Sequence, residues 1–314
     1  MQSVCLSGVS PRCTDVDDLR CHVCGGVRLR RRFSVPLLDG PYQDDKNVKY
    51  GTIYRCDSCG HLSAGFVDAG RYASYYQSLS DEYHSCHDYD RSRYERIIAL
   101  LPKQSLRRVL DVGCGTGTFL AMLPSAVERF GIEPSRAAAD HARAKGIRIV
   151  QYDDLAMPEL RNTFDLVTAI DVVEHSTNLQ EFRRHLARAL RPGGTAIILT
   201  GDAESRSARL LGRSWSYLSF AEHITIFCPR SMRTWLQPDF SEIEVTRAGH
   251  HRLNGRESLS LVRAWLLFPV KWFLRKLLPT RLKMHAALYL PGDHMLVRAI
   301  RNHPLTRETA INGY

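Results

Sequence analysis

A chain of 314 residues that is 44% hydrophobic and 24% charged has globular composition, with room for one large domain or a main domain plus a smaller module. Its formal net charge of +10 points to an acidic partner, such as a phosphorylated substrate, an anionic membrane or a nucleic acid, and is silent on fold. No uninterrupted apolar run reaches the ~18 residues of a spanning helix, and the N-terminal stretch lacks the basic start and apolar run of a secretory signal. A reducing cytoplasm is therefore expected, with the nine cysteines serving as thiols or metal ligands rather than disulfides.

In chain order, residues 1–20 read as a polar tail. Two Cys-x-x-Cys pairs follow, Cys21/Cys24 and Cys56/Cys59, with Gly25-Gly26 after the first and Gly60 after the second. Each such turn offers two thiolates from one tight knuckle, and two turns supply the four tetrahedral ligands of Zn2+. The spacing predicts a structural zinc ribbon over 21–68; four thiolates leave no open coordination position, so catalytic zinc is not expected. Free thiols, disulfides or a redox pair are the other readings of the quartet. Cys5, Cys13, Cys86, Cys114 and Cys228 show no pairing and read as ordinary thiols.

Residues 69–104 carry Tyr72, Tyr75, Tyr76, Tyr83, Tyr89 and Tyr94 and end at Pro102, which predicts one or two connecting helices. His84, Cys86 and His87 read as part of a solvated or substrate-facing helix rather than a second metal site. From 106 on, strands expected at 107–112, 127–133, 147–152, 164–170 and 195–200 alternate with helices at 135–145 and 179–190. That alternation implies a doubly wound parallel sheet. Strands at 241–247 and 294–300 would complete it, and 303–314 reads as a second tail.

The segment Val109-Leu110-Asp111-Val112-Gly113-Cys114-Gly115-Thr116-Gly117 ends a strand and opens a helix, where glycines let the backbone run close to a ligand. With its companions it resembles the class I S-adenosylmethionine (SAM)-dependent methyltransferases over about 105–250, within a core domain spanning 105–302. The companions are Glu133 in FGIEPS, Asp153 closing IRIVQYD, FDLVTAIDVVEH and LRPGG. The resemblance implies an α/β fold, a doubly wound Rossmann-like seven-stranded sheet, with SAM as methyl donor. Gly113, Gly115 and Gly117 would form the cofactor loop, Glu133 would accept from the ribose hydroxyls, and Asp153 or the adjacent Asp154 would meet the adenine amino group. Asp111 would fix the loop, and Asp171 would flank the cofactor. An NAD-type dehydrogenase is the other owner of a related glycine loop.

Methyl transfer from SAM asks a protein to align a nucleophile and, for a hydroxyl, to take its proton. Candidates lie after strand four (Asp171, Glu174, His175) and after strand five (Trp215, Tyr217, Glu222, His223). Glu174-His175 resembles the Glu-His pair of ubiquinone-biosynthesis O-methyltransferases. Histidine suits proton transfer near neutral pH, so His175, His223 and Glu174 are the catalytic candidates; packing against the cofactor is the other role open to each histidine. The Asp/Asn-Pro-Pro-Tyr/Phe of amino-directed nucleic-acid enzymes is absent, as is a Pro-Cys nucleophile. The expected acceptor is a hydroxyl of a sugar, glycolipid or other lipophilic or phosphorylated small molecule. O-methylation is favoured because the C-methylating relatives' pattern runs into a second C-terminal domain.

The insertion at 251–291 is basic, with Glu257 as its one acid. Val270, Phe273, Leu274 and Leu277 share one helical face, opposite Lys271, Arg275 and Lys276. Such a helix at 270–278 suits either a lid over the site or peripheral contact with an anionic membrane, on the inner face if the chain is cytoplasmic. An RNA methyltransferase and a non-catalytic binding module are the rival functions. The ribbon lacks a base-stacking array beside Arg28, Arg30, Arg31 and Arg32, which argues against nucleic acid.

Overall fold

The computed structural model describes residues 20–36, 50–65, 69–78, 91–101, 106–218, 222–248 and 293–303. The insertion at 251–291, with the predicted amphipathic helix at 270–278, lies outside the described residues, as do His84, Cys86, His87 and Pro102.

Strands β4 (Arg108–Val112), β5 (Glu128–Ile132), β6 (Arg148–Ile149), β7 (Phe164–Ile170), β8 (Leu190–Gly201), β10 (Phe240–Ala248) and β11 (His294–Arg301) form a seven-stranded sheet in the order β10-β11-β8-β7-β4-β5-β6. The five strands from β4 to β8 run parallel. β11 enters between β8 and β10 and is antiparallel to both. This is the seven-stranded class I methyltransferase sheet expected from the motif order.

β8 begins at Leu190, ahead of the strand expected at 195–200, so LRPGG lies within it, and β6 is only Arg148–Ile149 of the strand expected at 147–152. Leu190 already pairs with Phe164, and the ladder then shifts so that Leu166 meets Thr195. The extra residues bulge out between two paired positions, so a glycine-rich turn sits inside a strand.

Alternation along the strands sorts side chains onto two faces. Val109, Leu166, Ile197 and Leu199 pack with Ile97 of helix α2 (Arg91–Ala99) and Phe119 and Leu120 of the helical turn α3 (Thr118–Ala121). Leu110, Val112, Val167, Ala169, Ala196 and Ile198 pack on the opposite face. That face is covered by α5 (Leu179–Ala189) and α6 (Pro229–Leu236), through Phe182, Leu186, Met232 and Trp235. The helices start where their caps predict: Ser135 accepts from Ala138 N–H ahead of α4 (Arg136–Ala144), and Asn178 accepts from Glu181 N–H ahead of α5.

The cysteine region forms a second sheet, β1-β2-β3-β9. β1 (Leu29–Pro36), β2 (Tyr50–Cys56) and β3 (Leu62–Ala64) come from the ribbon. The fourth strand, β9 (Thr225–Ile226), comes from the core region. Cys21, Val23, Cys56 and Cys59 belong to the same hydrophobic cluster as Phe227, Trp235 and the sheet residues, so the ribbon shares its interior with the core. Helix α1 (Ala69–Gln77) and α2 lie between β3 and β4 in the chain. Among the described residues, no helix is long and apolar enough to cross a membrane.

Candidate active site

The chain leaves β4 toward β5 and β6 on one side and returns through β7 and β8 on the other. The carboxyl ends of β4 and β7 therefore flank the crevice where open α/β sheets bind ligands. The loop 113–117 occupies that crevice. A Cβ on Gly117 would stand 2.2 Å from Ile147 Cδ1, whereas one on Gly115 would meet nothing within 4 Å. Gly117 thus serves the packing beneath the loop, and Gly115 presents bare backbone to open space. Glu133, at the end of β5, accepts from Gly115 N–H (2.9 Å) and Ser135 N–H (2.8 Å). Burial pushes its carboxyl upward, while those two N–H groups pull it back toward ionisation. Asp111 is buried under the loop, where Thr168 Oγ1 donates to it at 2.6 Å, and burial lifts it to about 7. Asp153 is exposed at the start of a 3-10 turn that follows β6, next to Asp154, which accepts from Gln151 N–H (2.8 Å).

The acceptor-side candidates converge from two segments. His175 and His223 lie with ring centroids 4.9 Å apart. Nδ1 of His175 is 2.8 Å from the Glu222 carbonyl, and Nδ1 of His223 is 2.8 Å from the Tyr217 carbonyl. A carbonyl only accepts, so each Nδ1 is placed to donate, and a neutral ring then has its lone pair on Nε2. The Tyr76 hydroxyl of α1 also reaches His175 Nδ1 (2.7 Å), and Tyr75 donates to Glu222 Oε1 (3.1 Å). Burial, reinforced by neighbouring His175, lowers the His223 imidazole below its ordinary value and keeps it neutral. Tyr217 stacks on His223, with ring centroids 4.1 Å apart, and on Trp215, at 5.3 Å.

Glu174 stands behind these rings, fully buried. One carboxylate oxygen accepts from Thr200 Oγ1 (2.8 Å) and the other from the Tyr217 hydroxyl. Burial, then the nearby Asp171, raises its carboxyl. Both oxygens are committed to hydroxyl donors, which suits holding the fold around the histidines better than taking a proton from an acceptor. Asp171, at the end of β7 with φ of 53°, pairs with Arg93 of α2 and lies 3.4 Å from His294 Nε2. His294 Nδ1 faces Asp293 Oδ1 at 2.8 Å. Burial opposes a charge on His294, yet the two carboxylates overcome it and lift the imidazole to about 9.

The four knuckle cysteines are not joined in disulfides; three are buried and one is half-buried. Sγ of Cys21 lies 3.6 Å from that of Cys59, Sγ of Cys24 lies 3.6 Å from that of Cys56, and all four sulfurs fall within 4.8 Å of one another. Tetrahedral zinc with bonds of about 2.3 Å places its sulfurs ~3.8 Å apart, so the quartet has the size of that ion. Each knuckle is closed by a glycine N–H donating to the first cysteine's carbonyl, Gly25 to Cys21 and Gly60 to Cys56, both at 2.8 Å.

A family model described as a methyltransferase domain matches residues 87–238. The ubiquinone biosynthesis O-methyltransferase of Bradyrhizobium sp. (strain ORS 278) is 30% identical over 153 residues, covering 46% of this chain and 56% of that protein. Its counterpart in Rhizobium etli is 34% identical over 136 residues, covering 39% of this chain and 50% of that protein. The chain thus spans about half the length of the curated relatives it matches. Residues 87–238 are thus similar to a methyltransferase domain. Two solved structures share the fold. One is a chain of the complex containing the Haloferax volcanii Trm112 methyltransferase activator (TM-score 0.51, 16% identity, 74% of this chain and 98% of that one). The other is Haemonchus contortus phosphoethanolamine N-methyltransferase 2 with SAM (TM-score 0.50, 15% identity, 88% of this chain and 69% of that one).

The site also draws in residues that sequence reasoning passed over. Arg93, Thr200, Asp293 and His294 reach Asp171 or Glu174 directly or through one another, and nothing local marked them. Tyr75 and Tyr76 stood out only as part of a tyrosine-rich stretch. Cys228, read as an ordinary thiol, donates to the Cys59 carbonyl at 3.3 Å and so touches the knuckle.

Proposed function

We propose that the protein transfers the methyl group of SAM to a hydroxyl of a small-molecule acceptor. The observation that carries this reading is the contact between the glycine loop and the base-bearing turn. A Cβ on Gly113 would stand 2.4 Å from Val172 Cγ2, so the cofactor loop and the 171–175 turn abut. When bound, SAM supplies a sulfonium-activated methyl group and leaves as S-adenosylhomocysteine. Gly115 and Glu133 would hold its ribose, with Asp153 near the adenine and Asp171 beside the loop. His175 or His223, each with an Nε2 lone pair, would take the acceptor's proton as the carbon–oxygen bond forms. Glu174 acts as a positioning residue for both rings. O-methylation is further supported by the likeness to ubiquinone biosynthesis O-methyltransferases.

Cys21, Cys24, Cys56 and Cys59 would hold structural Zn2+, which the 3.6 Å sulfur spacings favour. The finer proposal of a lipid-linked or phosphorylated acceptor, met at an anionic membrane, rests on the sequence of 270–278 alone.

Calorimetry with S-adenosylhomocysteine tests the cofactor half. Wild type should bind, and Glu133→Ala should weaken binding by about tenfold or more, as expected for losing a charged hydrogen-bonding partner worth ~1.5–3 kcal/mol. Labelled SAM incubated with small-molecule, lipid and RNA fractions tests the rest. Label in the RNA fraction alone would overturn the acceptor assignment.

A further inference from the structure

We propose that the second cysteine knuckle sets the position of the histidine pair, with His61 as the positioning residue that connects them. This rests on the reading of His175 and His223 as acceptor-side groups and of the cysteine quartet as a zinc site.

The connection runs through one short segment, residues 222–228, each end of which is engaged differently. Toward the site, the Glu222 carbonyl accepts from His175 Nδ1, and Ile224 N–H donates to the Glu174 carbonyl at 3.0 Å. His223 itself lies between those two residues. Toward the ribbon, the Ile224 carbonyl accepts from Ala64 N–H at 2.9 Å, and β9 pairs with β3 through Leu62↔Ile226 and Ser63↔Thr225. His61 Nε2 meets Thr225 Oγ1 at 2.6 Å, with both residues buried, and its ring packs edge-on against Phe227 at 4.9 Å. Cys228 Sγ then donates to the carbonyl of Cys59, the last residue of the quartet. On the knuckle side, Cys56 N–H donates to the His61 carbonyl at 2.9 Å, which ties His61 to a metal-ligand residue by backbone as well.

A knuckle that only plugged the core would need apolar contact and no directional bonds. Here the Ala64–Ile224, His61–Thr225 and Cys59–Cys228 hydrogen bonds, with the β3–β9 ladder, register the segment against residues 59–64. The two imidazoles are oriented by carbonyls, and one of those carbonyls belongs to the segment itself. A shift of the knuckle therefore moves the group that fixes the His175 tautomer. The glycine loop and Glu133 lie off β4 and β5 and meet this path where Val172 packs on Gly113, so cofactor affinity should follow the knuckle far less than the rings do.

The test uses the full chain as purified, labelled with 15N-histidine, and reads the imidazole nitrogens of His175 and His223 by NMR. His175→Gln and His223→Gln variants assign the signals. Zinc content and S-adenosylhomocysteine affinity are measured alongside. In wild type each ring should show a single Nδ1–H tautomer. His61→Ala and Thr225→Val should both retain zinc and cofactor affinity while the two rings shift toward tautomer-averaged positions; His61→Gln, which can still donate to Thr225, should restore much of the wild-type pattern. Unchanged ring signals in the zinc-loaded Thr225→Val variant would overturn the proposal, even if His61→Ala failed to fold. So would a parallel loss of cofactor affinity, which would mean general support of the fold. No cofactor binding by wild type would instead sink the methyltransferase reading, and metal-free wild type the zinc reading, each taking this proposal with it.

Discussion

At the residue scale, the glycines of one loop do different work, and substitution should separate them. At Gly117 (φ 80°) an added methyl would meet Ile147 at 2.2 Å, so Gly117→Ala combines a steric clash with left-handed strain. At Gly115 (φ 53°) the methyl enters open space and costs only the backbone strain, about 1–2 kcal/mol. Gly117→Ala should therefore lower the Tm by more than Gly115→Ala does. Gly115→Ala should instead weaken S-adenosylhomocysteine binding about tenfold or more, since its Cβ occupies the ligand's side of the loop. Thermal scans and calorimetry on the two variants decide this; equal losses of Tm would refute the division of roles.

His294 allows a pH prediction at the same scale. Its folded value of about 9 stands above the ordinary 6.5. A group raised in the folded state stabilises fully below its unfolded value, and that contribution fades as pH rises through the folded value. Asp111, lifted from 3.8 to about 7, adds a decline that runs on to about pH 8. Between about pH 8 and 9 the slope should therefore belong to His294. Tm should fall across that interval in wild type, and His294→Asn, less stable throughout, should flatten the curve.

At the scale of elements, the Glu174 carboxylate joins three pieces of chain: the turn after β7, Thr200 of β8, and the 3-10 turn at 216–218 through Tyr217. Tyr217 also accepts from Gly201 N–H at 2.8 Å. Glu174→Ala would strand two buried hydroxyls and open a void. The expected cost is roughly 2–4 kcal/mol, read as a drop in the denaturant midpoint. A variant as stable as wild type would show that Glu174 is not a structural hub and would return it to the catalytic candidates. The Arg93–Asp171 pair clamps α2 onto the end of β7 in the same way, so the connector forms one wall of the site.

At the scale of the molecule, ribbon and methyltransferase domain share one interior and one strand-to-strand seam at β3–β9. Gln180 of α5 also donates to the His22 carbonyl at 2.7 Å, fastening the first knuckle to the opposite helix layer. Metal removal should then destabilise the whole chain and not the ribbon alone. Calorimetry of the protein as purified should show one transition, and chelation should lower it by about 10 °C or more, given that structural zinc contributes several kcal/mol and each is worth ~2–4 °C at this size. Two separable transitions, with the larger unmoved by chelator, would mean that the seam carries little energy.

Much of this was written locally. The strand–helix alternation, the glycine loop with Glu133 at the next strand end, and the two cysteine knuckles each depend on residues close in sequence, where periodicity, backbone freedom and ligand spacing act directly. Asp111 likewise declared its place, since it lies within the strand leading to the loop. What the sequence could not disclose are contacts made between distant stretches: Glu174 turned inward to Tyr217 and Thr200, His294 held between Asp171 and Asp293, and β9 lent to the ribbon. No local pattern encodes which buried carboxylate meets which hydroxyl, because that pairing is chosen only when the strands align and water is excluded. The cofactor loop was thus determined by sequence, and the surroundings of the histidines were decided by tertiary packing, where desolvation and hydrogen bonds across the sheet act together.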